Sequence, residues 1–190
     1  FCATDNYAAG ALAAEYMMSE HPDGGTVAIL VYESASSCVE RCDGFRDAVE
    51  ASGKWTIVTE LDGGNTTDAA LPVAEDIVTA NPDLDCIFCG NDEMALGAMQ
   101  ALQQAGYNNG EGTTTIPVFG VDATADAEAA IDAGTMAGTI KQDAEGMAEA
   151  IATIAANMIA GKDMYEGLNE NFTVENDWKV VIPYAVYTGN

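Results

Sequence analysis

Arg41, Asn91, Asp122 and Gln142 are the side chains of this sequence best suited to gripping a neutral, hydroxyl-rich ligand. A carboxylate accepts two hydroxyl protons, a guanidinium donates in a fixed plane, and an amide does both. Together they match the alternating donors and acceptors of a sugar. Each follows an apolar run of strand length. Glu33, Ser34, Ser36, Ser37 and Arg41 come after residues 26–32, Asn91 and Asp92 after 85–89, Asp122 closes 116–122, and Gln142 follows 136–141. In open parallel sheets ligands bind beyond the carboxyl ends of the strands, where loops converge and helix N-termini point into the crevice. Singly, each residue has a plainer role. Asn91 and Asp92 can cap the next helix, Asp92 the more readily; Asp122 can serve a turn; Arg41 can pair with surface acids. It is their coincidence at one sheet edge that points to a site.

The elements that must position them are legible from periodicity. Five short apolar runs, 26–32, 55–60, 85–89, 116–122 and 136–141, predict buried strands. Between and before them lie stretches with apolar residues at three and four spacing, beginning YAAGALAAEYMMSE, CVERCDGFRDAVEASG, DAALPVAEDIVTA, EMALGAMQALQQAG and ADAEAAIDAG. This alternation predicts an α/β fold, a Rossmann-like parallel sheet covered by helices. Asn81-Pro82-Asp83 and Gly106 are suited to ending helices, and Asp92 and Thr124 to capping their starts. After Lys141 the segment 144–162 predicts a further helix with a long apolar face, and KVVIPYAVYTGN reads as a Pro-interrupted strand fit for an edge or a crossover. Residues 1–142 are therefore expected to form a complete α/β ligand-binding lobe, and 143–190 a return segment that needs another surface.

Composition removes several functions. In 190 residues, 48% hydrophobic content can close one domain around a core. The 31 acidic residues against 6 basic ones give a net charge of −25, which repels phosphate backbones and anionic lipid surfaces, so neither nucleic acid nor membrane insertion is expected. No apolar run approaches the roughly 20 residues a spanning helix needs. The lone His21 lies in the turn-like HPDGG, and the sequence has no G-x-S-x-G elbow, phosphate-binding P-loop or H-E-x-x-H pair, so no enzyme and no cofactor are expected. Five cysteines, at 2, 38, 42, 86 and 89, leave at least one thiol over and form no regular disulfide framework. CIFC has a C-x-x-C spacing, but strand residues three apart point to opposite faces and cannot grip one ion, so no metal site is expected. The thiols read as small buried hydrophobes.

With TDNYAAGALAAEYM, ERCDGF, ANPDLDCIFCGNDEMALGAMQAL, IPVFGVDATADAEAAIDAGTMAGTIKQD and IPYAVYTGN in place, the sequence resembles the type I periplasmic sugar-binding proteins, the ribose and galactose-binding group that feeds ABC transporters. The resemblance covers nearly the whole chain, and NDEMALGA with PVFGVD is a specific pair. It implies that the arginine of ERxxGF, the first asparagine of NDEMA, the aspartate of FGVD and the amide after the GTI strand line the ligand cleft. Those are Arg41, Asn91, Asp122 and Gln142. Two departures bear on the ligand. Family members often stack an aromatic ring on the sugar from the loop where Asn65 stands, and galactose binders carry an aspartate at the position of Ser37, so the site is closer to the ribose-binding pattern, with Ser37 at its margin.

The resemblance further implies two lobes joined by three crossovers, closing around a monosaccharide or polyol, with the closed form recognised by an ABC transporter permease. A chemoreceptor or sensor kinase is a further partner of that kind, and the location implied is periplasmic or extracellular, with a lipid anchor through an upstream cysteine. The chain is expected to be the carboxy-terminal part of a longer protein, with 143–190 packing in the family on the amino-terminal lobe. The rival reading is the effector-sensing domain of a LacI-type repressor, for which a charge of −25 is awkward near DNA.

Overall fold

The computed structural model describes residues 2–110 and 112–189, so the outermost residues of the expected lobe and return segment, 1 and 190, lie outside the described residues. The chain divides into two compact units, a larger one of residues 6–141 and 186–190 and a smaller one of 1–5 and 142–185.

The larger unit alternates strands and helices as the periodicity predicts. Its elements are α1 (Asn6–Glu20), β2 (Gly25–Val31), α2 (Ser36–Ser52), β3 (Trp55–Asp62), α3 (Thr67–Ala80), β4 (Cys86–Cys89), α4 (Asp92–Gln104), β5 (Val118–Asp122), α5 (Ala125–Asp132) and β6 (Gly138–Lys141). β1 (Cys2–Ala3) precedes them, in the smaller unit. β2 through β6 pair in parallel in the order β3-β2-β4-β5-β6, and β9 (Ala185–Tyr187) closes the far edge beside β6. The α/β expectation is thus met.

Adjacent residues of a strand face opposite sides of the sheet, and two neighbouring pairs show how the helices divide. Phe88 of β4 stacks on Phe45 of α2 with ring centroids 4.0 Å apart, and Phe119, its register partner in β5, meets Tyr16 of α1 edge-on at 6.0 Å. The next residue, Gly120, faces α4, where a side chain would strike Asp92. So α1 and α2 cover one face, and α4, with α3 packed on it, covers the other. The strands between are buried throughout, from Val27 to Val31 and from Cys86 to Cys89. Cys86 and Cys89 are fully buried, and burial pushes both thiols up from their ordinary pKa. All five cysteines are free thiols.

The placement of α2 depends on backbone contact. A Cβ on Gly10 of α1 would run into the carbonyl of Arg41, and one on Gly44 of α2 into the carbonyl of Tyr7. Two helices can approach this closely only where each presents hydrogen in place of a side chain. The crossing therefore fixes the backbone of Arg41 itself.

The smaller unit holds a three-stranded sheet in the order β1-β8-β7, with β8 (Lys179–Val181) parallel to β1 and antiparallel to β7 (Thr173–Glu175), together with α6 (Ala144–Ala160). Ala150, Val180 and Ile182 form its small core, flanked by Met147, Ile154 and Phe172. The outer face of α6 leaves Ile151, Met158 and Ile159 exposed, Ile159 at 90%. The terminal sequence read as one interrupted strand is two, β8 and β9, in different sheets. Pro183 lies between them, where a residue without an N–H interrupts pairing.

Candidate functional site

At the carboxyl edge of the larger sheet, β3, β4 and β5 end in Asp62, Cys89 and Asp122, and the turns that follow carry Asn65 and Asn91. Arg41 reaches this edge from the second turn of α2. Its apolar neighbours Cys38, Cys42 and Phe45 face the sheet, which draws the arginine stem inward until the residue is only 7% exposed. The guanidinium spreads its donors over separate acceptors. Nη1 donates to the Gly90 carbonyl at 3.0 Å, Nη2 to Asp122 Oδ1 at 2.9 Å, and Nε to Asn6 Oδ1 at 3.4 Å. The surface-ion-pair alternative for Arg41 is therefore replaced by a largely buried one, with the Asp122 side chain still 33% exposed. One carboxylate edge remains presented to solvent at the sheet edge.

Asn91, not Asp92, caps α4. Its Oδ1 accepts from the Met94 N–H at 2.9 Å, and its Nδ2 donates to Asn65 Oδ1 at 2.7 Å. The cap orients the amide and leaves one of its two N–H donors to a ligand. Asn65 is exposed and holds a left-handed backbone, φ 67°, a conformation that asparagine tolerates better than most residues. Where the resemblance places an aromatic plate in other family members, this loop offers a second amide, the departure noted from the sequence. Ser37 is half-buried in the first turn of α2, beside this edge in sequence, while Glu33 and Ser34 are exposed in the preceding turn. Replacing Asn91 with alanine removes the cap and the Asn65 contact together. It should cost about 1 kcal/mol, read as a lowered midpoint in thermal unfolding.

Asp92 is 1% exposed and turns away from the edge. Its Oδ1 accepts from the Thr139 hydroxyl at 2.6 Å and its Oδ2 from the Thr124 N–H at 2.7 Å. Burial raises its pKa above the usual carboxylate value, opposed by those two hydrogen bonds. Among the thiols, Cys38 sits under the site. Its Sγ accepts from the Tyr32 N–H at 3.2 Å, and the hydrogen bond from Cys42 lowers its pKa while raising that of Cys42.

The structure thus brings Arg41, Asn91 and Asp122 to one edge. Gln142 belongs to the smaller unit, where its Nε2 donates to Thr4 Oγ1 at 2.9 Å and lies 3.4 Å from the Tyr184 hydroxyl. His21 is exposed beyond α1, as its turn-like setting implied. Asn6, Thr139 and the carbonyl of Gly90 were missed. Asn6 gives no signal apart from the helix start it occupies, and Thr139 reads as one more residue of a strand.

The profile described as a periplasmic binding protein domain matches residues 1–163. The ribose import binding protein of Escherichia coli strain K12 is 36% identical over 130 residues, covering 68% of this chain and 42% of that protein. The ribose import binding protein of Bacillus subtilis strain 168 is 29% identical over 174 residues, covering 91% of this chain and 54% of that protein. Among solved structures, an ABC transporter periplasmic solute binding protein from Actinobacillus succinogenes 130z with bound D-allose superimposes with a TM-score of 0.81 at 25% identity. That match covers 97% of this chain and 59% of the other. The chain spans about half the length of the proteins it matches.

Proposed function

We propose that this chain, which belongs to the periplasmic binding protein family, forms one wall of a site for a monosaccharide or related polyol in an extracytoplasmic binding protein that delivers its ligand to an ABC transporter. The observation that carries this reading is the shelf of Arg41, Asn91 and Asp122. It combines a planar cationic donor from α2 with an oriented amide and a part-exposed carboxylate at the ends of adjoining strands. The ligands named for the relatives support a neutral hydroxyl-rich molecule: ribose for two curated proteins and D-allose for the solved structure. No step of chemistry is assigned to these groups; their role is recognition, with Ser37 at the margin of the shelf.

The opposite wall is proposed to come from a further lobe, on which residues 143–190 pack through the apolar face of α6. Closure of two lobes around the sugar would then create the surface a permease recognises. The support is the share of the relatives' length that this chain covers and the exposure of Ile151, Met158 and Ile159. A single wall buries little of a sugar, so affinity should be weak. Calorimetric titration of the 190-residue chain with D-ribose, D-allose and myo-inositol should give saturable binding no tighter than about millimolar. Submicromolar binding would overturn the two-wall reading. Absence of saturable binding to all three would overturn the sugar reading.

A further inference from the structure

We propose that Asp92 and Thr139 act as a buried clamp that positions the Asp122 carboxylate, so that both are positioning residues of the sugar site although neither faces the ligand. This deepens the functional reading above and rests on it for its consequence in binding.

The turn that carries Asp122 adopts an unusual backbone. Asp122 has φ 121° and Ala123 has φ 54°, two successive non-glycine residues in conformations that L side chains disfavour. Such a turn persists only where its surroundings over-determine it. Here the next two backbone donors are both captured from beneath. The Ala123 N–H donates to Thr139 Oγ1 at 3.3 Å, and the Thr124 N–H to Asp92 Oδ2 at 2.7 Å. The acceptors are locked to each other, because the Thr139 hydroxyl donates to Asp92 Oδ1 at 2.6 Å. One hydroxyl thus accepts from the turn and donates to the carboxylate, and the carboxylate closes the loop by holding the next amide.

Both clamp residues are fully enclosed, Asp92 at 1% and Thr139 at 0% exposure. Gly120 makes room for the arrangement, since a side chain there would strike Asp92 Oδ1. The clamp links three elements: α4 supplies Asp92, β6 supplies Thr139, and the β5–α5 turn is what they hold. On the outer side of that turn the Asp122 carboxylate accepts from Arg41 Nη2 at 2.9 Å. The direction of the Asp122 side chain follows from its φ, so releasing the two amides frees it to leave the guanidinium.

The test uses two variants and one control. Asp92→Asn supplies one acceptor oxygen where the carboxylate supplies two, so one of the clamp bonds must be given up. Thr139→Val keeps the shape and removes the hydroxyl, whereas Thr139→Ser keeps both of its bonds. In NMR spectra of the isotope-labelled chain, recorded where every variant is folded, Asp92→Asn and Thr139→Val should shift the Arg41 Nε–H and Asp122 carboxyl resonances. Thr139→Ser should leave them at wild-type positions. Affinity for D-ribose should fall about tenfold or more in the first two and be retained in the third. A role confined to stability would lower unfolding midpoints without moving those resonances in the folded protein. The clamp is overturned if both resonances are unchanged in folded Thr139→Val, a variant that serves even where Asp92→Asn does not fold. The resonance readout needs no ligand, so a wild-type chain that binds none of D-ribose, D-allose and myo-inositol overturns the functional reading while the clamp stands or falls on the spectra.

Discussion

Replacing Arg41 with methionine should lower stability by about 2 kcal/mol and abolish sugar binding. Methionine fills much the same volume, so the loss is electrostatic rather than a cavity. Asp122 is left without the guanidinium it accepts from at 2.9 Å, and the Gly90 carbonyl without its donor at 3.0 Å. Breaking a fully buried pair costs roughly 3–5 kcal/mol. The lower figure applies because a third of the Asp122 side chain meets solvent and water can take the place of the lost donor. Arg41→Lys should be intermediate, since a single ammonium keeps the charge but cannot reach both acceptors in the plane of a fork. Urea denaturation of the three proteins gives the ordering. Equal stability for lysine and wild type would show that the geometry of the guanidinium contributes nothing.

Replacing Gly44 with alanine should cost about 2 kcal/mol or more. Alanine is the better helix former by about 1 kcal/mol, and on an isolated helix the change would stabilise. Here the new methyl group meets the carbonyl of Tyr7, which is backbone and cannot rotate away. The two helices must separate, and the same crossing carries the carbonyl of Arg41 against Gly10. A second effect follows at the site: displacement of α2 should weaken sugar binding although Gly44 touches no ligand group. A Gly44→Ala protein as stable as wild type would show that α1 and α2 do not meet at these glycines.

The parallel sheet was legible because its central strands β2 and β4 are buried on both faces and read as continuous apolar runs, while each intervening helix keeps its own period. The strand expected to be buried at 55–60 is instead the edge strand β3, which leaves Val58 and Leu61 exposed. The same topology made Arg41, Asn91 and Asp122 legible. Once strands run parallel, residues just past their carboxyl ends must share an edge, however far apart they lie in sequence. The clamp was not legible for the converse reason. Thr139 lies inside β6 and 47 residues beyond Asp92, and nothing local distinguishes its hydroxyl from that of any strand threonine. Asp92 was misread as a cap because a polar residue at a helix start has two geometries open to it, and burial decided between them. β1 and β7, at 2 and 3 residues, are too short to show any period.

Arg41, Asn91 and Asp122 are proposed to form a single binding surface. The most direct test is to record the guanidinium, side-chain amide and backbone NMR signals of the chain at rising millimolar D-ribose. Saturable shifts should concentrate at Arg41 Nε–H, the Asn91 amide and the backbone of residues 122–124, with Cys86 and the buried strands unmoved. Saturable shifts located elsewhere, with these three residues silent, would show that they do not form the binding surface.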